Sequence, residues 1–212
     1  MSPSPLDLYK EHQKELETYR DLLIRWNQKI NLTAITDPEE IKEFHFLDSL
    51  ALATQITSEI VSRETISVLD MGSGNGLPGI AIKIACPDLE VTLVDSVKKK
   101  CDFMKTIIRE LRLKNIHVVH HTLIENQNIG EFNLIISRAT FKLKDLLRFS
   151  LPNLKPEGTI MAMKGLDIGQ ELKEADPMIL TLGFERPEEA IYELPFSHQK
   201  RKILTFRQKC ST

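Results

Sequence analysis

The fourteen residues Ser67-Val-Leu-Asp-Met-Gly-Ser-Gly-Asn-Gly-Leu-Pro-Gly-Ile80 decide the fold of this chain. Ile66, Val68 and Leu69 read as the end of a buried strand, which Asp70 closes. Gly72, Gly74, Gly76 and Gly79 then fall within eight residues and make up four of the nine glycines in the chain. An ordinary surface turn does not need that concentration. Glycine reaches positive φ without steric cost and lets a ligand approach where a Cβ would clash. From Ile80 the pattern Ala81-Ile82-Lys83-Ile84-Ala85 turns helical. Strand, glycine loop and helix N-terminus in this order form the nucleotide-binding corner of a doubly wound α/β sheet.

Two ligand classes compete for such a corner. Gly74-Asn-Gly76-Leu77-Pro-Gly79 matches the G-x-G-x-x-G of dinucleotide sites. Asp70 favours S-adenosylmethionine instead, because a carboxylate there accepts from an α-amino group, directly or through water, and repels a pyrophosphate. The alternation Gly72-x-Gly74-x-Gly76 after Asp70 resembles motif I of class I methyltransferases. Val91-Thr-Leu-Val-Asp95 reads as the second strand, ending in an acid nineteen residues after Gly76. That carboxylate can hold both ribose hydroxyls, a feature the two ligands share.

At 212 residues the chain suits one core with an appendage, long enough to bury a full interior. No signal-peptide pattern opens it and no eighteen-residue apolar run interrupts it, so a cytoplasmic protein without a membrane span is expected. Cys86, Cys101 and Cys210 lack metal-ligand spacing and read as reduced thiols. A net charge of −2 excludes a global electrostatic footprint for nucleic acid, so any such binding must be local.

Upstream, residues 1–4 are expected to be loose. Leu8, Leu16, Tyr19, Leu22, Leu23 and Trp26 recur at helical spacing over Leu6 to Lys29. Asp37 and Pro38 then cap a helix over Glu39 to Glu59, and His45 on it reads as structural in preference to catalytic. Residues 1–62 thus form a helical extension before a core of residues 63–212, the two making one compact structural domain.

Downstream, Lys98 to Leu113 is an amphipathic helix. Its cations, Lys98, Lys99 and Lys100 among them, read first as a solvated face. Ile116 to Val119 is strand three, and Leu123, Ile124 and Glu125 follow where an adenine would lie. Phe132 to Ile136 is strand four, with Ser137-Arg138-Ala139 after it at the reacting end of the sheet. Arg138 is either a substrate contact or the partner of a nearby acid, and contact is the preferred reading. Thr159 to Met163 is strand five, placing Lys164 at the same end. Ile168 to Leu182 is helical. Ile191 to Leu194 and Lys202 to Phe206 close the sheet as an antiparallel hairpin around a basic loop with Lys200 and Arg201. The sum is an α/β fold with a seven-stranded, mostly parallel, Rossmann-like sheet.

Together these residues resemble a family: the bacterial small-subunit rRNA guanine-N7 methyltransferases, RsmG or GidB. The resemblance rests on Trp26-Asn-Gln-Lys-Ile-Asn-Leu-Thr33, His45-Phe-Leu-Asp-Ser-Leu50, the Asp70–Gly79 loop, Asp95-Ser96, Ser137-Arg-Ala139, Met163-Lys-Gly165 and Lys200-Arg201. It implies a monomeric enzyme that methylates N7 of one guanosine in the decoding region of 16S rRNA within the small ribosomal subunit. It further implies S-adenosylmethionine as cofactor, no metal, and neither DNA nor membrane as partner.

On that resemblance the cofactor-binding residues are Asp70, Gly72, Gly74, Gly76, Leu77, Asp95, Leu123, Ile124, Glu125 and Arg138. Arg138 and Lys164 position the substrate, since N7 carries no proton and needs no general base. Lys98, Lys99, Lys100, Lys200 and Arg201 are the RNA-binding candidates, with Lys142, Lys144 and Arg148 beside them. A small-molecule methyltransferase would want an aromatic-rich pocket, and aromatics are only 6% of residues. A non-catalytic ribosome-assembly factor and a dehydrogenase are the remaining alternatives.

Overall fold

Val68, Leu69 and Met71 are fully buried and form, with Ser67 and Asp70, the central strand β1 (Ser67–Met71). The structure is a computed structural model and describes residues 3–59 and 66–209. The expectations for Met1, Ser2, Cys210 and the 62/63 boundary lie outside those residues. Further strands are β2 (Glu90–Asp95), β3 (Ile116–His120), β4 (Phe132–Arg138), β5 (Leu154–Gly165), β6 (Glu188–Glu193) and β7 (Lys200–Arg207). They lie in the order β3-β2-β1-β4-β5-β7-β6. The first five run parallel, while β7 is antiparallel to both β5 and β6. Seven strands, mostly parallel with a closing hairpin, is the expected architecture.

The chain reverses its direction of travel across the sheet between β1 and β4, and crevices for ligands open at the carboxyl ends of strands beside such a reversal. On one face of the sheet pack α1 (Pro5–Glu11), α2 (Gln13–Ile30), α4 (Asp48–Glu59), α5 (Gly79–Ala85) and α6 (Lys98–Glu110). On the other pack α7 (Leu143–Ser150) and α8 (Gly169–Thr181). Val68 faces the first core while Leu69 and Met71 face the second, as a strand covered on both sides requires. Leu16, Tyr19 and Phe46 of the N-terminal helices share the first core with Ile80 and Phe103, so the extension is packed into the sheet's own interior.

Three local readings are corrected. The apolar stripe of Leu6 to Lys29 is two helices, because His12 departs from helical geometry at φ −110° and ψ 25°. Ser4 is an N-cap, not a loose residue: Asp7 N–H donates to its hydroxyl at 3.2 Å, and Asp7 accepts from its backbone N–H at 3.1 Å. Ser137 and Arg138 lie within β4 instead of after it.

Asp37 caps α3 (Pro38–Ile41) as expected, its Oδ1 accepting from Glu39 and Glu40 N–H at 2.9 and 3.0 Å. The helix then widens into a π-helical stretch, Lys42–Leu47, before α4. Glu43, His45 and Asp48 are all buried on this segment.

Candidate functional site

Asp70 enters the interior because it stands on β1 with no exposed surface. Its Oδ2 accepts from Gly79 N–H at 2.9 Å, while Oδ1 is buried without a hydrogen-bond partner. Burial pushes this carboxyl up to about 7, against the opposing pull of Gly79, Ser73 and Arg138. A buried acceptor left open at the end of a strand costs free energy unless something donates to it.

The glycines divide by what surrounds them. A Cβ on Gly79 would stand 2.3 Å from Leu93 Cδ2 and 2.7 Å from Asp70 Oδ2, so Gly79 lets helix α5 close on the sheet. Gly72, at φ +72°, abuts Thr140, and Gly76, at φ +87°, abuts Ile80 and the Tyr19 hydroxyl. Around Gly74 the nearest atom to such a Cβ is Gly72 O at 3.9 Å, although its φ of +59° also asks for glycine. A Cβ there would make only one ordinary van der Waals contact, so the backbone at Gly74 is nearly uncovered. Leu77 is buried behind it.

The loop is held by hydrogen bonds of its own. Gly72 and Ser73 N–H donate to Val94 O at 2.9 and 3.0 Å. Ser73 Oγ links Asp70 O and Val94 N at 2.9 and 3.1 Å. Tyr19, from the N-terminal helices, donates to Asn75 O at 2.5 Å. Asp95, closing β2, accepts from Gly74 N–H through Oδ2 and from Val97 N–H through Oδ1, both at 2.8 Å. A carboxylate has about four lone-pair sites, so each oxygen keeps one for a hydroxyl.

Val97 and Ile124 follow the carboxyl ends of the neighbouring strands β2 and β3 and are exposed apolar side chains. The sequence reading named Ile124 but missed Val97. Leu123 turns partly inward onto the second core, and Glu125 is exposed, 4.0 Å from Arg148.

Beyond β1 in the other direction lies an open cavity of about 550 Å³, with Phe44, Asp48, Arg138, Lys164, Tyr192 and Arg201 in its wall. Arg138 Nη1 donates to Phe44 O at 3.1 Å and stands 3.4 Å from Asp48 Oδ2. Tyr192 Oη donates to the other Asp48 oxygen at 2.6 Å. Burial and the adjacent Asp48 carboxylate push the Tyr192 phenol up. Lys164 Nζ donates to Phe141 O and to Glu171 Oε1, each at 2.7 Å. Arg201 pairs across the hairpin with Tyr192 and with Gly165 on β5, which brings it to the same wall. His45 also lines the cavity, bonded to Thr33 Oγ1 at 2.9 Å, and burial lowers it to about 4, so it is neutral at ordinary pH.

The RNA candidates do not form one patch. Lys98 and Lys99 are exposed and Lys100 partly so, at the start of α6 beside the Asp95 corner. Lys200 and Arg201 do not lie in the expected loop but open β7, paired with Glu193 and Tyr192 of β6, four strand positions from β2, or about 19 Å at the usual ~4.8 Å spacing. Asp48 and Tyr192 were missed as cavity residues. A lone acid among apolar neighbours, as in Phe46-Leu-Asp-Ser-Leu50, was the available signal for Asp48; nothing local marked Tyr192. Among the described residues no group of three acids, histidines or cysteines could hold a metal ion, and no helix is long and apolar enough to cross a membrane.

The strand order and the glycine corner define the class I, Rossmann-like methyltransferase fold. Among solved structures of that shape are a SAM-dependent methyltransferase from Aquifex aeolicus and the N-methyltransferase NodS from Bradyrhizobium japonicum, solved with S-adenosylhomocysteine. The first aligns at TM-score 0.57 and 20% identity, over 82% of this chain and 99% of that one. The second aligns at TM-score 0.58 and 16% identity, over 95% and 98%. The GidB profile, described as rRNA small subunit methyltransferase G, matches residues 12–202. Relatives carrying the name ribosomal RNA small subunit methyltransferase G include those of Lactococcus lactis and Lachnoclostridium phytofermentans. The former is 35% identical over 96% of this chain and 86% of its own length, the latter 37% over 96% and 84%. The chain belongs to the GidB family of small-subunit rRNA methyltransferases.

Proposed function

We propose that this protein transfers a methyl group from S-adenosylmethionine to N7 of one guanosine in the 16S rRNA of the small ribosomal subunit. The observation that carries the reading is the pairing of a glycine corner, with its open Asp70 oxygen, and a cavity walled by Arg138, Lys164 and Arg201 at the adjoining strand ends.

The donor fits the residues present. Asp70 Oδ1 receives its α-ammonium, directly or through water, Asp95 its ribose hydroxyls, and the bare backbone at Gly74 its close approach. Val97 and Ile124 flank its adenine, with Leu123 and Glu125 in the same turn, and Gly72, Gly76 and Leu77 shape the seat. When bound, the cofactor supplies an electrophilic methyl on a sulfonium. Guanine N7 offers a lone pair that needs no deprotonation, so the protein's task is alignment, worth several powers of ten.

Arg138 and Lys164 are held by Asp48, Phe44, Phe141 and Glu171, and serve as fixed donors that read the guanine near O6. Neither acts as acid or base. Arg138, next to the β1 corner, also borders the cofactor. Lys200 and Arg201 on one side and Lys98, Lys99 and Lys100 on the other meet phosphates. Separated as they are, they grip an acceptor with its own shape, rRNA assembled into a subunit, and the enzyme acts as a cytosolic monomer.

The test supplies labelled S-adenosylmethionine with unmethylated small subunits and with naked 16S rRNA. One labelled guanosine recovered as 7-methylguanosine, formed faster on subunits, is the expected result. Label at another atom or only in small metabolites overturns the reading, and equal rates on both acceptors remove the subunit requirement.

A further inference from the structure

Phe196 stands at the turn between β6 and β7 with 52% of its surface exposed. An exposed aromatic ring on an ordinary loop would be unremarkable, but this loop is fixed from beneath. The buried carboxylate of Glu43, on the π-helical segment, accepts from Phe196 N–H at 2.8 Å and Ser197 N–H at 2.7 Å through one oxygen. Leu194 N–H donates to Gln199 O at 2.9 Å, and His198 N–H to Leu194 O at 3.1 Å, closing the turn on itself. The backbone is therefore set while the ring projects outward. Lys42 Nζ lies 5.2 Å from the ring centroid and 5.5 Å from that of Tyr9, which places a cation against the aromatic.

The surroundings select a ligand chemistry. Tyr192, Gln199 and Arg201 of the same hairpin line the acceptor cavity, and Phe196 sits on the turn that joins the two strands of that hairpin. His198 and Lys200, both exposed, accompany it. A half-exposed ring with Lys42 against it and Lys200 close by in the chain suits a planar base carried on a phosphate backbone, while Glu39, 3.4 Å from Lys42, and Glu193, 2.7 Å from His198, balance part of the local charge. Single-stranded RNA presents that combination when a base is splayed out of its stack.

We propose that Phe196 is a stacking platform for an unpaired nucleobase next to the methylated nucleotide, with Lys200 meeting the phosphate between them. The proposal rests on the RNA reading and names a subsite for it. A base adjacent to the target rests on the ring, while the target itself enters the cavity walled by Arg138 and Lys164. Stacking tolerates any base, so this subsite contributes grip and registration and not base identity.

The test uses the full chain as Phe196→Ala and Phe196→Trp, with melting temperature as the folding control. The acceptors are unmethylated small subunits and a single-stranded RNA bearing 2-aminopurine on either side of the target guanosine. The expected result is a rise of about tenfold or more in KM for subunits in Phe196→Ala, an unchanged cofactor dissociation constant, and recovery in Phe196→Trp. Quenching of one 2-aminopurine should follow the same order. Equal KM and equal quenching in wild type and Phe196→Ala overturn the proposal, as does impairment that Phe196→Trp fails to restore. Ring-dependent quenching without methyl transfer by the wild type would sink the function reading and leave the subsite standing.

Discussion

Arg138 and Asp48 meet with Nη1 3.4 Å from Oδ2, ninety residues apart in sequence, and the same carboxylate accepts from Tyr192 on its other oxygen. One acid thus ties the end of β4 to α4 and β6. Both members of the ion pair are largely buried, with side-chain exposures of 15% and 9%. Removing one side of such a pair leaves a charge in a poor solvent, which commonly costs about 3 kcal/mol. Asp48→Ala should lower stability by that order in urea denaturation, and turnover should fall with it.

Arg138→Ala should separate binding from chemistry. We expect cofactor affinity to stay within about tenfold, roughly 1.4 kcal/mol, while methyl transfer collapses. Calorimetric titration beside single-turnover assays measures both. Loss of cofactor affinity instead would make Arg138 chiefly part of the donor's seat.

Gly74 and Gly79 should fail in different ways. Gly74→Val puts side-chain atoms into open space and should abolish cofactor binding, with a strain penalty of about 1–2 kcal/mol from its left-handed backbone. Gly79→Ala drives a methyl against Leu93 and Asp70 and should chiefly lower the melting temperature. If Gly74→Val binds cofactor normally, the open space is not the ligand's.

Asp70 and His45 impose opposite pH slopes on stability. Asp70 is raised to about 7 from 3.8, so between those values the folded state keeps a proton the unfolded chain has lost. Its contribution falls as pH climbs through that window. His45 is lowered to about 4 from 6.5, so there the unfolded chain binds a proton the folded state refuses, and stability rises with pH. Melting curves from pH 4.5 to 6.5 should steepen upward in Asp70→Asn and turn downward in His45→Gln. Ionised Asp70 is also the form an ammonium prefers, so cofactor affinity should weaken by up to tenfold per unit below pH 7.

Glu43→Ala should release the β6–β7 turn. Two N–H groups lose a charged acceptor, at a cost of about 2 kcal/mol. Trypsin cleavage beside Lys200 and Arg201, timed under native conditions, should accelerate. Unchanged cleavage would mean the hairpin holds the turn by itself.

The β1 corner was legible because its information is local: a strand, four glycines and a helix follow one another within a few residues. The hairpin was legible by alternation, and the strands by their apolar runs. What escaped depends on neighbours distant in sequence. The break at His12 leaves the apolar stripe intact, so periodicity runs through it. Asp48, Tyr192 and Arg138 converge only after the sheet is assembled, and no spacing in the chain announces that meeting. Lys164 was placed at the right end of its strand, but its engagement by Glu171 from α8 is a tertiary event.

The glycine loop stitched to Val94 through Ser73 has a bearing on how the enzyme finishes its cycle. Gly72 and Ser73 N–H are tied to Val94 O and the Ser73 hydroxyl oxygen to Val94 N–H, so the fold's own bonds shape the seat. On the proposed reading the demethylated product would keep the amino group, ribose and adenine of the donor and differ only at sulfur. Under the proposed function it leaves a site no less ready for it than for the donor. The pace of methylation would then follow the ratio of donor to spent cofactor in the cell, making the modification a readout of methyl supply.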